Sequence, residues 1–463
     1  MVGILTKQKT QITSPELTVT PDEYSLLTDL YQLTMAACYV KEGLDTKRAS
    51  FELFTRKLPD GFGYLVAMGL TQVLEYLEQL KFSPEQIQYL QSTGIFDHVS
   101  DRFWDTLLDF QFTGDVWAVP EGTVVFANEP ILRVEAPLWQ AQLVETYLLN
   151  TINYQTLVAT RAARLRDIAG AEATLLEFGT RRAFSPQASL WAARAALAGG
   201  LDATSNVLAA LKLGEKPSGT MAHSLVMAMK AIEGSESDAF TAFHQSFPGA
   251  PLLIDTYDTV AAATDLASKV NAGEMELSGV RLDSGDLVSL SQQVRSLLPD
   301  VQIFASGDLD EYEIARLKAA GACIDGYGLG TRLVTGNPVN GVYKLVEIDG
   351  IPTMKQSSGK STYPGCKQVF RRFVDGEIQS DTLGLVSDDF EDSQPLLQLV
   401  CQNGKNLQLP ETLAAIRHRT QTNVASLPAI ARQLQNPQSP PVMVSESLQK
   451  LTLKEEGRGK KGN

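Results

Sequence analysis

Cysteine is scarce in this chain: Cys38, Cys323, Cys366 and Cys401 are the four in 463 residues, and no two lie close together. That spacing excludes the paired-cysteine patterns of a zinc site or a disulfide framework, and unpaired thiols fit a reducing cytoplasm. No window holds the ~18 uninterrupted apolar residues of a membrane span. The opening stretch MVGILTKQKTQITSPE lacks the apolar run of a signal peptide. Basic residues are outnumbered, 40 Lys and Arg against 54 Asp and Glu, for a net charge of −14. Nucleic acid is therefore not expected as a partner, because its phosphates need clustered cations, although a local basic pocket remains compatible with this balance.

What is present suits a folded enzyme. The apolar fraction is 44 % and the charged fraction 20 %, which argues for sizeable cores and against global disorder. The length allows two or three domains. Residues 1–20 are polar and threonine-rich and read as a flexible arm. The spacing predicts a helix over 24–40, a strand in SFELFTRKLP (50–59) and helices over 63–92 broken at Pro84. Residues 117–137 read as short strands with turns at Pro120–Gly122 and Asn128–Pro130, ahead of a long helical stretch over 138–169.

From Thr174 onward, short apolar runs alternate with helical patterns. The runs are TLLEFG (174–179), GLDATS (200–205), PLLIDT (251–256), LSGVRLDSG (277–285), VQIFASGD (301–308) and IDGYGLGT (324–331). Asp283 and Asp308 lie 25 residues apart, and Asp308 and Thr331 lie 23 apart, about the length of one strand–loop–helix unit. Repetition of that unit implies a parallel sheet closed into a barrel. After Val339 the chain is strand-like again, and 411–435 predicts an amphipathic helix. Residues 436–463 carry Pro, Gly and charge without a packing pattern and are expected to be disordered.

Each of these runs ends in polar or glycine residues: Phe178-Gly-Thr-Arg181-Arg182, Asp202-Ala-Thr204-Ser205, Asp255-Thr-Tyr-Asp258, Arg281-Leu-Asp283-Ser-Gly-Asp286, Ser306-Gly307-Asp308 and Gly328-Leu-Gly330-Thr331. In a barrel those ends converge on one face and form the site. Gly328–Arg332 offers backbone N–H groups and a hydroxyl to an anion, or is an ordinary glycine turn. Arg281 and Asp283 alternate along one strand and point the same way, either towards a charged ligand and Mg²⁺ or into a structural ion pair. Phe178 and Arg181 can sandwich a flat ring, unless Phe178 only fills the core. His223, in Ser218-Gly-Thr-Met-Ala-His223-Ser224, can act as general base, phosphate ligand or phosphate acceptor, or be structural. His98, His244 and His418 have no comparable surroundings. Arg161, Arg164 and Arg166 read as a solvated helix face.

The motifs taken together resemble the nicotinate phosphoribosyltransferase family, pyridine phosphoribosyltransferases built on an incomplete barrel. The likeness runs from about Leu27 to Arg372. It rests on TDLYQLTM (28–35), FELFTRKLP (51–59), EGT and ANEP (121–130), LVETYLLNTINYQT (143–156), EFGTRRA (177–183), SGTMAHSL (218–225), IDTYDT (254–259), GVRLDSGDL (279–287), ASGDLDE (305–311), YGLGTRL (327–333) and YPGCKQVFR (363–371). The resemblance implies an α/β fold: an irregular, incomplete TIM-like α/β barrel over 141–339 and a discontinuous α+β domain from 21–140 and 340–435, between the arm (1–20) and the tail (436–463).

It also implies an activity. Nicotinate and phosphoribosyl pyrophosphate would give nicotinate mononucleotide and pyrophosphate in NAD salvage, with ATP hydrolysis coupled through a phosphorylated histidine. His223 takes that histidine's place, with Asp255, Asp283 and Arg281 beside it, and Asp255 and Asp283 are candidates for Mg²⁺. Phe178 and Arg181 match the ring-binding pair. Asp202, Asp255, Arg281 and Asp283 match positions lining the ribose and base site, with Thr204 and Ser205 at the same strand end. Gly307, Asp308, Gly330 and Thr331 match the ribose and 5′-phosphate loops. Arg56, Lys344 and Lys367 match basic positions near the phosphates. Tyr31 matches a tyrosine supplied by the other subunit of a homodimer. A cytoplasmic location and no membrane contact are expected. The rival readings are a nicotinamide enzyme of the same fold, a quinolinate enzyme, and a non-catalytic metabolite-binding barrel.

Overall fold

The structure, a computed structural model, describes residues 17–357 and 360–459; the predicted arm lies outside the described residues as far as residue 16. The protein is a mixed α/β fold with two large sheets. One has six strands, all parallel, in the spatial order Ala203–Thr204, Thr174–Glu177, Gly326–Leu329, Gln302–Ala305, Gly279–Leu282, Leu252–Leu253. These are the six apolar runs of the sequence. Each is only two to four residues long, and the edge strands at 203–204 and 252–253 are not paired with each other, so the sheet is open.

Helices follow the strands where the sequence places caps. Asp258, Asp286 and Asp310 each stand at the N-cap of the next helix, accepting from N–H groups two or three residues on. Such caps start the helices Thr259–Asn271, Leu287–Leu297 and Glu311–Ala319, whose inner faces cover the sheet.

The second sheet has seven strands and interleaves distant parts of the chain. Arg48–Thr55 pairs antiparallel with both Gly341–Ile348 and Pro130–Pro137, and Asp115–Ala118 pairs with Gln398–Gln402. Its core includes Phe51, Leu53, Leu132, Val134, Tyr343 and Val400. The helix Glu145–Ala169 joins the two cores, giving Leu148, Ile152 and Leu157 to one and Val158, Ala162 and Leu165 to the other.

Two sequence expectations change here. The tail forms the strand Val442–Val444, parallel to Glu377–Leu385, and the helix Glu446–Gly459, with Leu448 fully buried. Its pairing run is three residues long, too short to leave a periodic trace in sequence. Arg161, Arg164 and Arg166 are not a solvated face, because their helix is packed on several sides. Arg164 is buried against Glu311 at 2.9 Å, and Arg166 reaches Asp202 at 2.5 Å. Arg161 donates to the carbonyls of Arg332 and Thr335, at the end of the short helix Thr331–Val334.

Candidate active site

The C-terminal ends of the parallel strands meet in one polar rim, tied together by hydrogen bonds from strand to strand. Asp255 is its hub. One carboxylate oxygen, Oδ2, accepts from the Asp283 N–H at 2.8 Å and the Ser284 hydroxyl at 2.7 Å. The other, Oδ1, is buried without a hydrogen-bond partner and lies 3.9 Å from His223 Nε2. Asp283 holds Ser306 through Oδ1 and directs Oδ2 towards the same imidazole nitrogen, at 4.0 Å.

His223 is the first residue of the helix His223–Glu233, and its Nδ1 is 3.1 Å from the Thr256 hydroxyl. The imidazole is therefore held through Nδ1, while Nε2 faces two carboxylates and remains partly exposed. A free nitrogen at a helix N-terminus suits contact with an anion. The two carboxylate oxygens are hard donors of the kind that hold Mg²⁺ together with substrate phosphates. Among the described residues no three or more His, Cys, Asp or Glu side chains form a complete metal cage.

Phe178 and Arg281 build the neighbouring wall. The guanidinium centre of Arg281 lies 5.8 Å from the Phe178 ring centre, and its Nη2 donates to the Met221 carbonyl at 3.1 Å. Its Nε is buried without a partner, and burial lowers its affinity for a proton. The Phe178 ring also lies against Gly328, where an added Cβ would come within 2.5 Å of the ring, so only glycine fits that strand position. A cavity of about 80 Å³ opens here, lined by Phe178, Arg281, Phe304, Ser218, Gly219 and Gly328 among others. Arg181 is exposed on the following turn. Asp308 adopts a left-handed φ of +47°, and Gly330 caps the short helix that begins at Thr331.

Three expected residues have their polar groups engaged within the fold. Asp202 precedes its two-residue strand, so its carboxylate sits at the opposite end of the sheet, accepting from Arg166 and from the Leu175 N–H at 2.7 Å. Asp325 makes the same clasp with Arg295 and the Ile303 N–H. Thr204 is at the right end but fully buried, with its hydroxyl given to Glu177. Lys367 is buried in an ion pair with Glu52 at 2.8 Å, and its remaining donors go to the Tyr363 and Gly365 carbonyls. Lys367 is buried, so its ammonium is not presented to a phosphate.

Lys344 lies on the strand Gly341–Ile348 of the other sheet and Arg56 just follows the strand Arg48–Thr55, while Tyr31 is on the helix Leu30–Lys41, near Glu145. Arg56 and Lys57 line a cavity of about 970 Å³ together with Asn128, Asn340, Lys360 and Tyr363. Lys344 is 4.0 Å from Glu145, and burial lowers its proton affinity. Partial burial and the nearby Glu145 raise Tyr31 to about 12. Among the described residues, none of their hydrogen bonds or ion pairs is with the rim.

Three contributing residues were missed in sequence. Thr256 and Ser284 orient the imidazole and Asp255, and each is a hydroxyl directly beside a rim aspartate in sequence. Glu177 is a buried carboxylate ending an apolar run.

Comparison with known proteins gives three family models along the chain. These are the nicotinate phosphoribosyltransferase (NAPRTase) N-terminal domain over residues 26–153, the nicotinate phosphoribosyltransferase family over 173–304 and the nicotinate phosphoribosyltransferase C-terminal domain over 386–452. A nicotinate phosphoribosyltransferase of Bacillus subtilis is 45 % identical over 367 residues, spanning 76 % of this chain and 73 % of its own. The Mycobacterium tuberculosis nicotinate phosphoribosyltransferase pncB2 is 42 % identical over 438 residues, 92 % of each chain. The crystal structure of human nicotinic acid phosphoribosyltransferase superimposes with a TM-score of 0.80 at 31 % identity, covering 92 % of this chain and 99 % of that one.

Proposed function

The chain belongs to the nicotinate phosphoribosyltransferase family, and from that premise we propose how its rim transfers phosphoribosyl to nicotinate. The protein is a transferase of NAD salvage: nicotinate and phosphoribosyl pyrophosphate give nicotinate mononucleotide and pyrophosphate. The pyridine nitrogen attacks the sugar C1 as the bond to pyrophosphate breaks, through a state with cation character at C1.

We assign the pyridine to the wall of Phe178 and Arg281, with Arg181 opposite its carboxylate. Nicotinate needs positioning more than activation, and these side chains provide it. Ser205, Gly307, Asp308, Gly330 and Thr331 are placed along the ribose and 5′-phosphate. Asp255 and Asp283 stabilise the positive charge that develops at C1. The same two carboxylates would hold Mg²⁺, for which the buried, unpartnered Oδ1 of Asp255 is a suitable donor. Bound Mg²⁺ supplies charge neutralisation for the departing pyrophosphate.

ATP is the proposed co-substrate. His223 Nε2 attacks its terminal phosphorus, forming an N–P bond as the bond to ADP breaks, and water later releases phosphate. The observation that most supports this role is the fixed imidazole, anchored at Nδ1 by Thr256 while Nε2 faces the rim carboxylates.

We further read the six parallel strands as an incomplete TIM-like barrel beside a discontinuous α+β domain, with the helix Leu413–Ala425 packed on the barrel side. The active form is proposed to be a cytoplasmic homodimer in which Tyr31, Arg56 and Lys344 serve the partner's rim. Among the described residues no helix is long and apolar enough to cross a membrane. Product analysis tests the reading: nicotinate mononucleotide should form from nicotinate, phosphoribosyl pyrophosphate and Mg²⁺, faster with ATP, and its absence would refute the assignment.

A further inference from the structure

Glu177 ends the strand Thr174–Glu177 and is buried to 1 % exposure. Burial raises its carboxyl above the ordinary range, and no basic side chain among the described residues offsets this. A carboxyl so placed is costly unless it is hydrogen-bonded. Its two oxygens join two neighbouring strand ends. Oε1 accepts from the Gly179 N–H, and Oε2 accepts from the Thr204 hydroxyl at 2.5 Å.

The first of these bonds starts a turn. The Gly179 carbonyl accepts in turn from the N–H groups of Arg182 at 2.8 Å and Ala183 at 3.0 Å. Phe178 lies immediately before that turn and Arg181 lies within it. The space is closed on the far side, since a Cβ on Gly179 would lie 2.7 Å from Glu177 Oε1 and 2.3 Å from Val334.

We infer that Glu177 is a positioning residue for the pyridine, fixing the Phe178–Arg182 turn and through it the surfaces that Phe178 and Arg181 offer the ring and its carboxylate. This rests on the reading of Phe178 and Arg181 as the pyridine contacts. The hydrogen-bond pattern can be met without charge, because a glutamine at 177 can accept from Gly179 and donate to Thr204.

The test measures KM for nicotinate and for phosphoribosyl pyrophosphate separately in wild type, Glu177→Ala, Glu177→Gln and Thr204→Val, with thermal unfolding of each. Glu177→Ala should raise the nicotinate KM by ~10-fold or more while the other KM stays within ~2-fold, as expected for losing two buried hydrogen bonds. Glu177→Gln should restore the nicotinate KM to within ~3-fold of wild type, and Thr204→Val should raise it by ~3-fold. An unchanged nicotinate KM in Glu177→Ala, both constants rising together, or no rescue by glutamine would overturn the inference. If Glu177→Ala does not fold, Thr204→Val decides: a rise confined to nicotinate supports the role, and its absence refutes it. Failure of the underlying reading looks different, because Phe178→Ala and Arg181→Ala would then also leave the nicotinate KM unchanged.

Discussion

Asp255 and His223 face each other across the rim, Oδ1 to Nε2 at 3.9 Å, while Thr256 holds the opposite imidazole nitrogen. The gap is too long for a hydrogen bond, so Nε2 is not occupied by Asp255. His223→Ala should therefore abolish ATP stimulation and the acid-labile phosphate that labelled ATP leaves on the protein. Full ATP-stimulated turnover in this variant would refute the phosphohistidine.

Lys367 matters for folding rather than for phosphate binding. Lys367→Met leaves Glu52 buried and unpaired, a change that typically costs ~3–5 kcal/mol. A large drop in melting temperature is expected, with the KM for phosphoribosyl pyrophosphate unchanged in the protein that remains folded. A raised KM at full stability would return Lys367 to the site.

Glu129, Asp381 and Arg371 form a buried group under the Asn128 turn, with Arg371 paired to Asp381 at 2.6 Å. Burial, then the neighbouring Asp381, raises the Glu129 carboxyl well above its ordinary range, with Arg371 opposing. The folded chain thus keeps a proton that the unfolded chain releases. This contribution is complete below the ordinary carboxyl pKa and is lost as pH rises towards the folded value, at up to ~1.4 kcal/mol per pH unit. Glu129→Gln should gain melting temperature over wild type between pH 5 and pH 8. A difference that stays constant with pH would show that no proton is held.

Tyr31 tests the shared site. Mixing Tyr31→Ala and Arg281→Ala subunits should recover activity that neither variant has alone, because a mixed dimer keeps one intact site if Tyr31 acts across the interface. No recovery after proven subunit exchange would place Tyr31 in its own chain's site or outside both.

Much of this was legible in the sequence. The six short strands follow from apolar runs between helical patterns, and the rim from their polar ends. Misplacements arise where sequence cannot say which end of a strand a polar residue occupies. Asp202 looked like a strand terminus, but its strand begins one residue later. The aspartates in Asp255-x-x-Asp258 and Asp283-x-x-Asp286 looked alike, yet the first of each pair faces His223 and the second caps a helix. Lys367 sits in a strand-like run that gives no sign of its burial. Glu177 was passed over because a lone acid inside TLLEFG reads as an ordinary strand residue, and only the fold shows that its oxygens join two strand ends.

Pyrophosphate release with phosphoribosyl pyrophosphate and Mg²⁺, offering nicotinate, nicotinamide or quinolinate in turn, with and without ATP, tests the activity itself. Release with nicotinate, increased by ATP, and little with the other two is expected. Preferential release with nicotinamide or quinolinate, or none with any pyridine, would contradict that activity.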